Sequence, residues 1–85
     1  MNVQETSLEA YESIQPELGL MQQTVYDAIE QHEGISNLDI SRILNIPINS
    51  VTPRVKELRD MNFVKFHNHK QDPITKRRVM TWEIC

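Results

Sequence analysis

The stretch that decides the fold is Ser36–Asp60, SNLDISRILNIPINSVTPRVKELRD, which predicts two short helices joined by a tight turn. Ser36 is followed three residues later by Asp39, the spacing of a capping box, and this predicts the start of the first helix. Asn45 tolerates the left-handed conformation that ends a helix, and Pro47 cannot continue one. We therefore expect the turn between the two helices to be short and chemically specified.

The second of these helices is predicted at Asn49–Asp60, with Asn49 as its N-cap. Pro53 then falls in the first turn, where proline costs far less than in a helix interior. Apolar residues at spacings of four and three predict one buried stripe, formed by Val51, Val55 and Leu58. The opposite face of this helix is polar and free to contact a partner.

Regular elements are also predicted on both sides of this unit. Leu20–Glu33 has the apolar spacing of an amphipathic helix, and Gly34 is suited to ending it. Phe63–His67 and Val79–Ile84 alternate as strands, with the polar, basic loop His69–Arg78 between them. Three helices followed by a basic-tipped hairpin is the element order of a winged helix-turn-helix domain, an α+β fold that is mostly α.

Residues 1–18 are predicted to form an acidic N-terminal arm, and residues 19–85 the winged helix-turn-helix domain. Leu8, Tyr11 and Ile14 recur at three-residue spacing, which predicts a short helical arm with one apolar edge. This edge could pack on its own domain or form the contact of a homodimer. Paired domains would favour DNA half-sites about one helical turn apart.

The composition limits the classes of function. A chain of 85 residues forms one domain with a modest core and little room for an enclosed active site. No long apolar run or signal peptide is present, and the single cysteine, Cys85, cannot form an internal disulfide, so we expect a cytoplasmic protein. No phosphate loop, paired catalytic carboxylates or nucleophile motif is found, and we expect neither an enzyme nor a cofactor.

The charge is divided unevenly along the chain, although its total is only −3. Residues 1–33 contain seven acidic residues and no lysine or arginine, whereas residues 34–85 contain nine cations and five acids. Because salt screens charges over about 10 Å, a partner responds to the nearest face more than to the total charge. The basic part of the chain is therefore compatible with binding double-stranded DNA.

The predicted DNA contacts lie on the last helix and on the hairpin loop. A helix pinned by its apolar stripe can place its other face in the major groove, which is about 12 Å wide. We expect base contacts from the short polar residues and the arginine at its start, Asn49, Ser50, Thr52 and Arg54, and a phosphate contact from Lys56. In the hairpin loop, where Asp72 and Pro73 are suited to opening a type I turn, the expected contacts are Lys70, Lys76, Arg77 and Arg78.

Three motifs also resemble those of a known family. They are Ala10-Tyr11 to Val25, with Pro16 and Leu18-Gly19 between them; Pro47-Ile48-Asn49-Ser50-Val51-Thr52-Pro53-Arg54-Val55; and Asp72-Pro73-Ile74-Thr75 with Arg77 and Trp82. They are similar to small winged-helix proteins encoded by phages and prophages, of the MarR-like class, over residues 8–84. The resemblance implies a transcriptional regulator that binds DNA through Asn49, Ser50, Thr52, Pro53, Arg54, Arg77 and Arg78. Lys76 stands where the wing of such proteins is expected to have glycine.

A second interpretation remains open: a winged helix that binds a host or viral protein through its acidic N-terminal face. It predicts that charge reversal at Glu9, Glu12 and Glu17 abolishes partner capture, whereas DNA binding predicts sensitivity to loss of Arg54 and the wing arginines. His67 and His69 lie on one face of a predicted strand, but zinc sites need more ligands at tighter spacing, so no metal is expected.

Overall fold

The computed structural model describes residues 18–85, and this part of the chain forms three helices and a three-stranded antiparallel sheet. In chain order the elements are α1 (Leu20–Gln31), β1 (Ile35–Ser36), α2 (Asn37–Leu44), α3 (Ile48–Asp60), β2 (Val64–Gln71) and β3 (Arg78–Ile84). The predicted winged-helix architecture is confirmed. The predicted helical arm and its dimer contact lie outside the described residues.

The sheet has the strand order β1-β3-β2, so the last strand in sequence is the central one. The predicted hairpin is formed by β2 and β3, whose register pairs Val64 with Ile84 and Gln71 with Arg78, with an irregularity between Phe66 and Asn68. The two-residue strand β1 was not predicted. It pairs Ile35 with Trp82 and joins the end of the first helix to the hairpin.

The residues predicted to begin and to end α2 do so in the structure. Ser36 Oγ accepts the Asp39 N–H at 3.1 Å, and the Asp39 carboxylate accepts the Ser36 N–H at 3.1 Å, so the capping box is complete. Asn45 ends α2 with φ 55° and ψ 47°, the left-handed conformation expected of it. Gly34 has φ 84° but lies beyond the end of α1, and its N–H donates to the carbonyl of Trp82 at 2.8 Å.

The predicted start of α3 is wrong by two residues. The N-cap is Pro47 rather than Asn49, and the helix begins at Ile48, which packs against the core. The apolar contact of Ile48 therefore outweighs the capping preference of an asparagine side chain. As a consequence, Pro53 lies inside the helix rather than in its first turn, and it leaves the carbonyl of Asn49 without the usual helical N–H partner.

Strand β2 continues four residues beyond its predicted end at His67, because its ladder with β3 runs on to the pair Gln71–Arg78. The wing turn is correspondingly shorter than the predicted loop 69–78 and occupies residues 72–77. Lys70 is therefore a strand residue and not part of the turn.

The core lies between the three helices and the inner face of the sheet. It consists of Val25, Ala28, Ile29, Ile35, Ile40, Val51, Val55, Leu58, Val64 and Trp82. The predicted stripe of α3 is thus confirmed, and so is the placement of Trp82 under the wing. The Trp82 indole Nε1–H donates to Asn37 Oδ1 at 2.8 Å, and the Arg59 guanidinium lies 4.7 Å from the centre of the Trp82 ring. None of the described helices is long and apolar enough to cross a membrane.

Candidate nucleic-acid interface

The outer face of α3 presents short polar side chains along its N-terminal half. Asn49, Thr52, Pro53 and Lys56 are exposed, whereas Ser50 is half-buried. The buried stripe on the opposite face fixes the rotation of the helix about its own axis. The polar residues are consequently displayed to solvent as one continuous surface.

Arg54 is less free than its predicted role as a base contact requires. Its guanidinium donates to Glu57 Oε2 at 2.8 Å, and Glu57 Oε1 accepts a hydrogen bond from Gln22 Nε2 of α1, also at 2.8 Å. These two hydrogen bonds lower the pKa of Glu57, and the one from Gln22 has the larger effect. Arg54 Nε is buried and has no hydrogen-bond partner among residues 18–85. The side chain is only 34% exposed and is tied to the junction of α1 and α3.

Lys56 is held much more loosely. Its ammonium group lies 2.9 Å from the Asp60 carboxylate one turn later, and both side chains are largely exposed. Exposed pairs of this kind contribute only about 0.3–0.5 kcal/mol in helices. A phosphate of the DNA backbone could therefore replace Asp60 as the partner of Lys56 at little cost in free energy.

The wing turn is closed by hydrogen bonds that converge on Asp72. One carboxylate oxygen of Asp72 accepts the N–H groups of Ile74, at 3.1 Å, and Thr75, at 2.8 Å. Its backbone carbonyl accepts the Lys76 N–H at 2.9 Å, and its own N–H donates to the carbonyl of Arg77 at 2.8 Å. Lys76 takes φ 64°, so a lysine adopts the left-handed conformation for which glycine was expected.

The same aspartate fastens the turn to α2. Asp72 is fully buried, and its two oxygens accept hydrogen bonds from both terminal nitrogens of Arg42 at 2.7 and 2.9 Å. The pKa of Asp72 is held well below its usual range, most strongly by the hydrogen bonds from the Arg42 guanidinium and next by that from the Thr75 N–H. The pair is charge-assisted and two-pronged, which fixes both the distance and the orientation of the turn.

A second ion pair joins β2 to the same helix. Lys70 Nζ contacts the Asp39 carboxylate, which also belongs to the capping box of α2. Burial opposes ionisation of Asp39, but the hydrogen bonds from Lys70 and Ser36 outweigh it and lower the pKa. The ion pairs of Asp39 with Lys70 and of Arg42 with Asp72 were not predicted from the sequence. The available signal was an isolated acid, Asp72, inside an otherwise basic loop.

Three predicted wing cations remain without an acidic partner. Lys76, Arg77 and Arg78 are exposed, and none of them forms an ion pair with a carboxylate of residues 18–85. The Arg78 guanidinium lies 3.3 Å from the imidazole Nδ1 of His69. Lys70 differs from these three cations because it is paired with Asp39.

His67 forms a contact of another kind. His67 contacts the Glu83 carboxylate, which also lies 3.4 Å from Lys65, and the pKa of Glu83 is lowered, chiefly by His67. His67 and His69 do not come together with further acidic or thiol groups. Across residues 18–85, no three His, Cys, Asp or Glu side chains are placed so that they could share a metal ion.

Comparison with known families agrees with this geometry. The family described as "Iron dependent repressor, N-terminal DNA binding domain" matches residues 22–71, which span α1 to the end of β2. No curated protein sequence matches the chain.

Solved structures of MarR-type proteins share the fold. FabT of Streptococcus pneumoniae, solved in complex with DNA, has a TM-score of 0.69 at 14% identity over 99% of this chain and 57% of its own. The adhesin competence repressor AdcR of Streptococcus pyogenes has a TM-score of 0.63 at 23% identity over 99% and 57%. The zinc-responsive MarR family member ZitR of Lactococcus lactis has a TM-score of 0.65 at 17% identity over 96% and 60%. The present chain spans about half the length of such proteins.

Proposed function

Because the chain belongs to the family of iron dependent repressor N-terminal DNA binding domains, we propose that it is a transcriptional regulator that reads the DNA major groove with α3 and contacts the adjacent minor groove or backbone with its wing. The family consists of repressors and not of enzymes. Residues 18–85 offer no cluster of ligands that would fit the iron for which the family is named. The contacts proposed below therefore involve only the chain's own side chains.

The observation that carries the proposal is the distribution of ion pairs. Most cations on the body of the domain are paired with a carboxylate, namely Arg42, Arg54, Lys56, Lys65 and Lys70. The guanidinium of one more, Arg59, lies 4.7 Å from the centre of the Trp82 ring. Those that project from the wing, Lys76, Arg77 and Arg78, are not paired with a carboxylate of residues 18–85. A cluster of cations left unpaired beside a helix with an exposed polar face is the electrostatic footprint of a duplex-binding surface.

We assign different roles to the residues of α3. The first two turns of α3 carry short polar side chains that can approach base edges closely, namely Asn49, Ser50 and Thr52. Pro53 offers an apolar contact in the same region. Lys56 supplies a phosphate contact once it leaves Asp60. Arg54 must exchange Glu57 for DNA before it can contribute, and Lys70 must leave Asp39, so both are proposed as weaker contacts.

Two finer proposals follow from similarity. FabT, which shares the fold, was solved in complex with DNA, and this supports DNA as the ligand of the present chain. The motifs quoted from the sequence support a regulator of phage or prophage type, acting in the cytoplasm of a bacterial host. A homodimer reading paired half-sites is proposed on the same basis.

The decisive experiment is selection of bound sequences from random duplex DNA, followed by affinity measurements on the selected duplex over a range of salt. If about five phosphates are neutralised per chain, the slope of log K against log salt is expected to be about −4.5. Arg77→Ala and Arg78→Ala should each reduce the slope by about one. Lys65→Ala removes an equal charge from a lysine paired with Glu83 at the opposite end of β2 from the wing turn, and it should leave the slope unchanged.

The opposite result would support the alternative of a protein-binding module. If no duplex is retained at about 50 mM salt, DNA binding is rejected. Capture of a host or viral protein that is lost on charge reversal at Glu9, Glu12 and Glu17 would then establish a protein partner. If Arg77→Ala and Lys65→Ala change the salt slope equally, the wing is rejected as a DNA contact, but α3 remains the proposed contact.

A further inference from the structure

The tip of the wing carries an exposed apolar side chain among its cations. Ile74 is 69% exposed, and among the large apolar residues of the described chain only Leu20 is more exposed. It follows Pro73, and Lys76 and Arg77 lie two and three residues later. An isoleucine at this position contributes little to the core, since most of its surface remains in water.

Its exposure is imposed by a fixed backbone. The Ile74 N–H donates to the buried carboxylate of Asp72 at 3.1 Å, and Asp72 is clamped in turn by Arg42. The next two backbone N–H groups, of Thr75 and Lys76, also donate to Asp72. The side chain is therefore held at the apex of an ordered turn, and the geometry of that turn does not need to form on binding.

We propose that Ile74 is an apolar wedge that enters the DNA minor groove and bends the duplex, an inference that rests on the DNA-binding function proposed above. Proteins that contact the minor groove insert apolar side chains between base steps, partly unstack them and kink the duplex toward the major groove. Lys76 and Arg77 follow Ile74 by two and three residues and are exposed, so they can contact phosphates along the edge of the groove.

The charges next to Ile74 favour DNA over an apolar protein surface as the occupant. Ile74 and Pro73 also border a depression of about 450 Å³ that reaches Ile43 on α2. A protein ligand seated there would cover Ile43, which is 53% exposed, together with Ile74. Two unpaired cations, Lys76 and Arg77, follow Ile74 within the same turn, and they match the phosphates of a minor groove. Ile43 is therefore the matched control: it is apolar, exposed and close by, but it lies outside the proposed wedge.

The test compares wild type, Ile74→Ser, Ile74→Leu and Ile43→Ser on end-labelled duplexes of about 30 base pairs. One duplex carries a flexible TA step at its centre, and the other has only G·C pairs there. Energy transfer between the two ends reports bending, and a titration over salt gives affinity and slope. Thermal unfolding of each variant verifies that these surface changes leave the domain folded.

Wild type is expected to bend the TA duplex and to prefer it over the G·C duplex. Ile74→Ser should weaken binding to the TA duplex about tenfold, abolish the bend and the preference, and leave the salt slope unchanged, since no cation is lost. Ile74→Leu and Ile43→Ser should behave as wild type. Binding without bending, or a bend that survives Ile74→Ser, overturns the wedge but leaves the DNA-binding function intact. Failure of wild type to bind any duplex overturns that function and the wedge with it.

Discussion

Arg42 of α2 and Asp72 of the wing turn form a two-pronged ion pair, with N–O distances of 2.7 and 2.9 Å around a fully buried carboxylate. The pair connects the helix-turn-helix unit directly to the element that is proposed to enter the minor groove. A wing held in this way loses little conformational freedom on binding, so less of the binding energy is spent on ordering it. The orientation of the wing is thus set by the folded domain before DNA is encountered.

Asp72→Asn is expected to loosen the wing. The amide oxygen can still accept the N–H groups of Ile74 and Thr75, but the charge that holds Arg42 is lost. We expect the melting temperature to fall by roughly 5 °C or more and affinity for the selected duplex to fall with it. Asp60→Asn removes the same charge from an exposed pair with Lys56 and should change either value little. Equal, small effects of the two changes would show that the buried pair does not position the wing.

Acid is expected to destabilise the domain through the same carboxylate. The pKa of Asp72 is held low by Arg42 in the folded state, and that of Asp39 is also lowered, whereas an unfolded aspartate titrates near about 3.9. A lowered folded-state pKa contributes stability that is complete above the unfolded value and is lost as the pH falls below it. The melting temperature should therefore vary little between about pH 7 and 5 and decline below about pH 4. Asp72→Asn should show a shallower decline; an identical acid profile would argue against Asp72 as its source.

Lys76→Gly is expected to stabilise the fold. Lys76 has φ 64°, a conformation that costs an L-residue with a Cβ roughly 1–2 kcal/mol and costs glycine nothing. Part of this gain is offset by the greater freedom of glycine in the unfolded chain, so a net increase of about 0.5–1 kcal/mol is expected in denaturant titrations. Lys76→Ala removes the same charge but keeps the strained conformation, and it should give no such increase. If the two variants are equally stable, the gain assigned to the backbone is wrong.

The hydrogen bond under the wing gives a further prediction. Asn37→Ala leaves the buried indole N–H of Trp82 without its acceptor, which typically costs about 1–3 kcal/mol. Because Trp82 is the only tryptophan, its fluorescence follows unfolding in urea directly. Asn37→Asp retains an acceptor oxygen at the start of α2 and should remain close to wild type. A destabilisation of equal size in both variants would place the effect in the helix start rather than in the indole contact.

Elements specified by neighbouring residues could be predicted from the sequence, and those that depend on distant residues could not. The capping box of Ser36 and the left-handed Asn45 act within a few positions, and both are present as expected. Strand β1 has only two residues and no alternation, and its partner Trp82 lies about half the chain away. The start of α3 was misplaced because the local signal of Asn49 competes with burial of Ile48, which only the assembled core reveals.

The same distinction applies to the candidate site. A count of cations along the sequence treats Lys70 and Arg77 alike, because both fall in one basic stretch. The fold gives them different surroundings. Lys70 lies in the extended strand β2 and is paired with Asp39, whereas Arg77 lies in the turn and is exposed. Nothing within a few residues of Lys70 indicates that this strand residue has its partner, Asp39, in helix α2.

The central place of β3 in the sheet has a consequence for synthesis of the protein. Strands β1 and β2 both pair with β3 and not with each other, so neither has a sheet partner until Arg78–Ile84 has left the ribosome. The three helices contact one another and can pack earlier, because their contacts close shorter loops. The wing is then completed last. A nascent chain in which β3 is not yet available therefore has no paired wing strands with which to contact DNA.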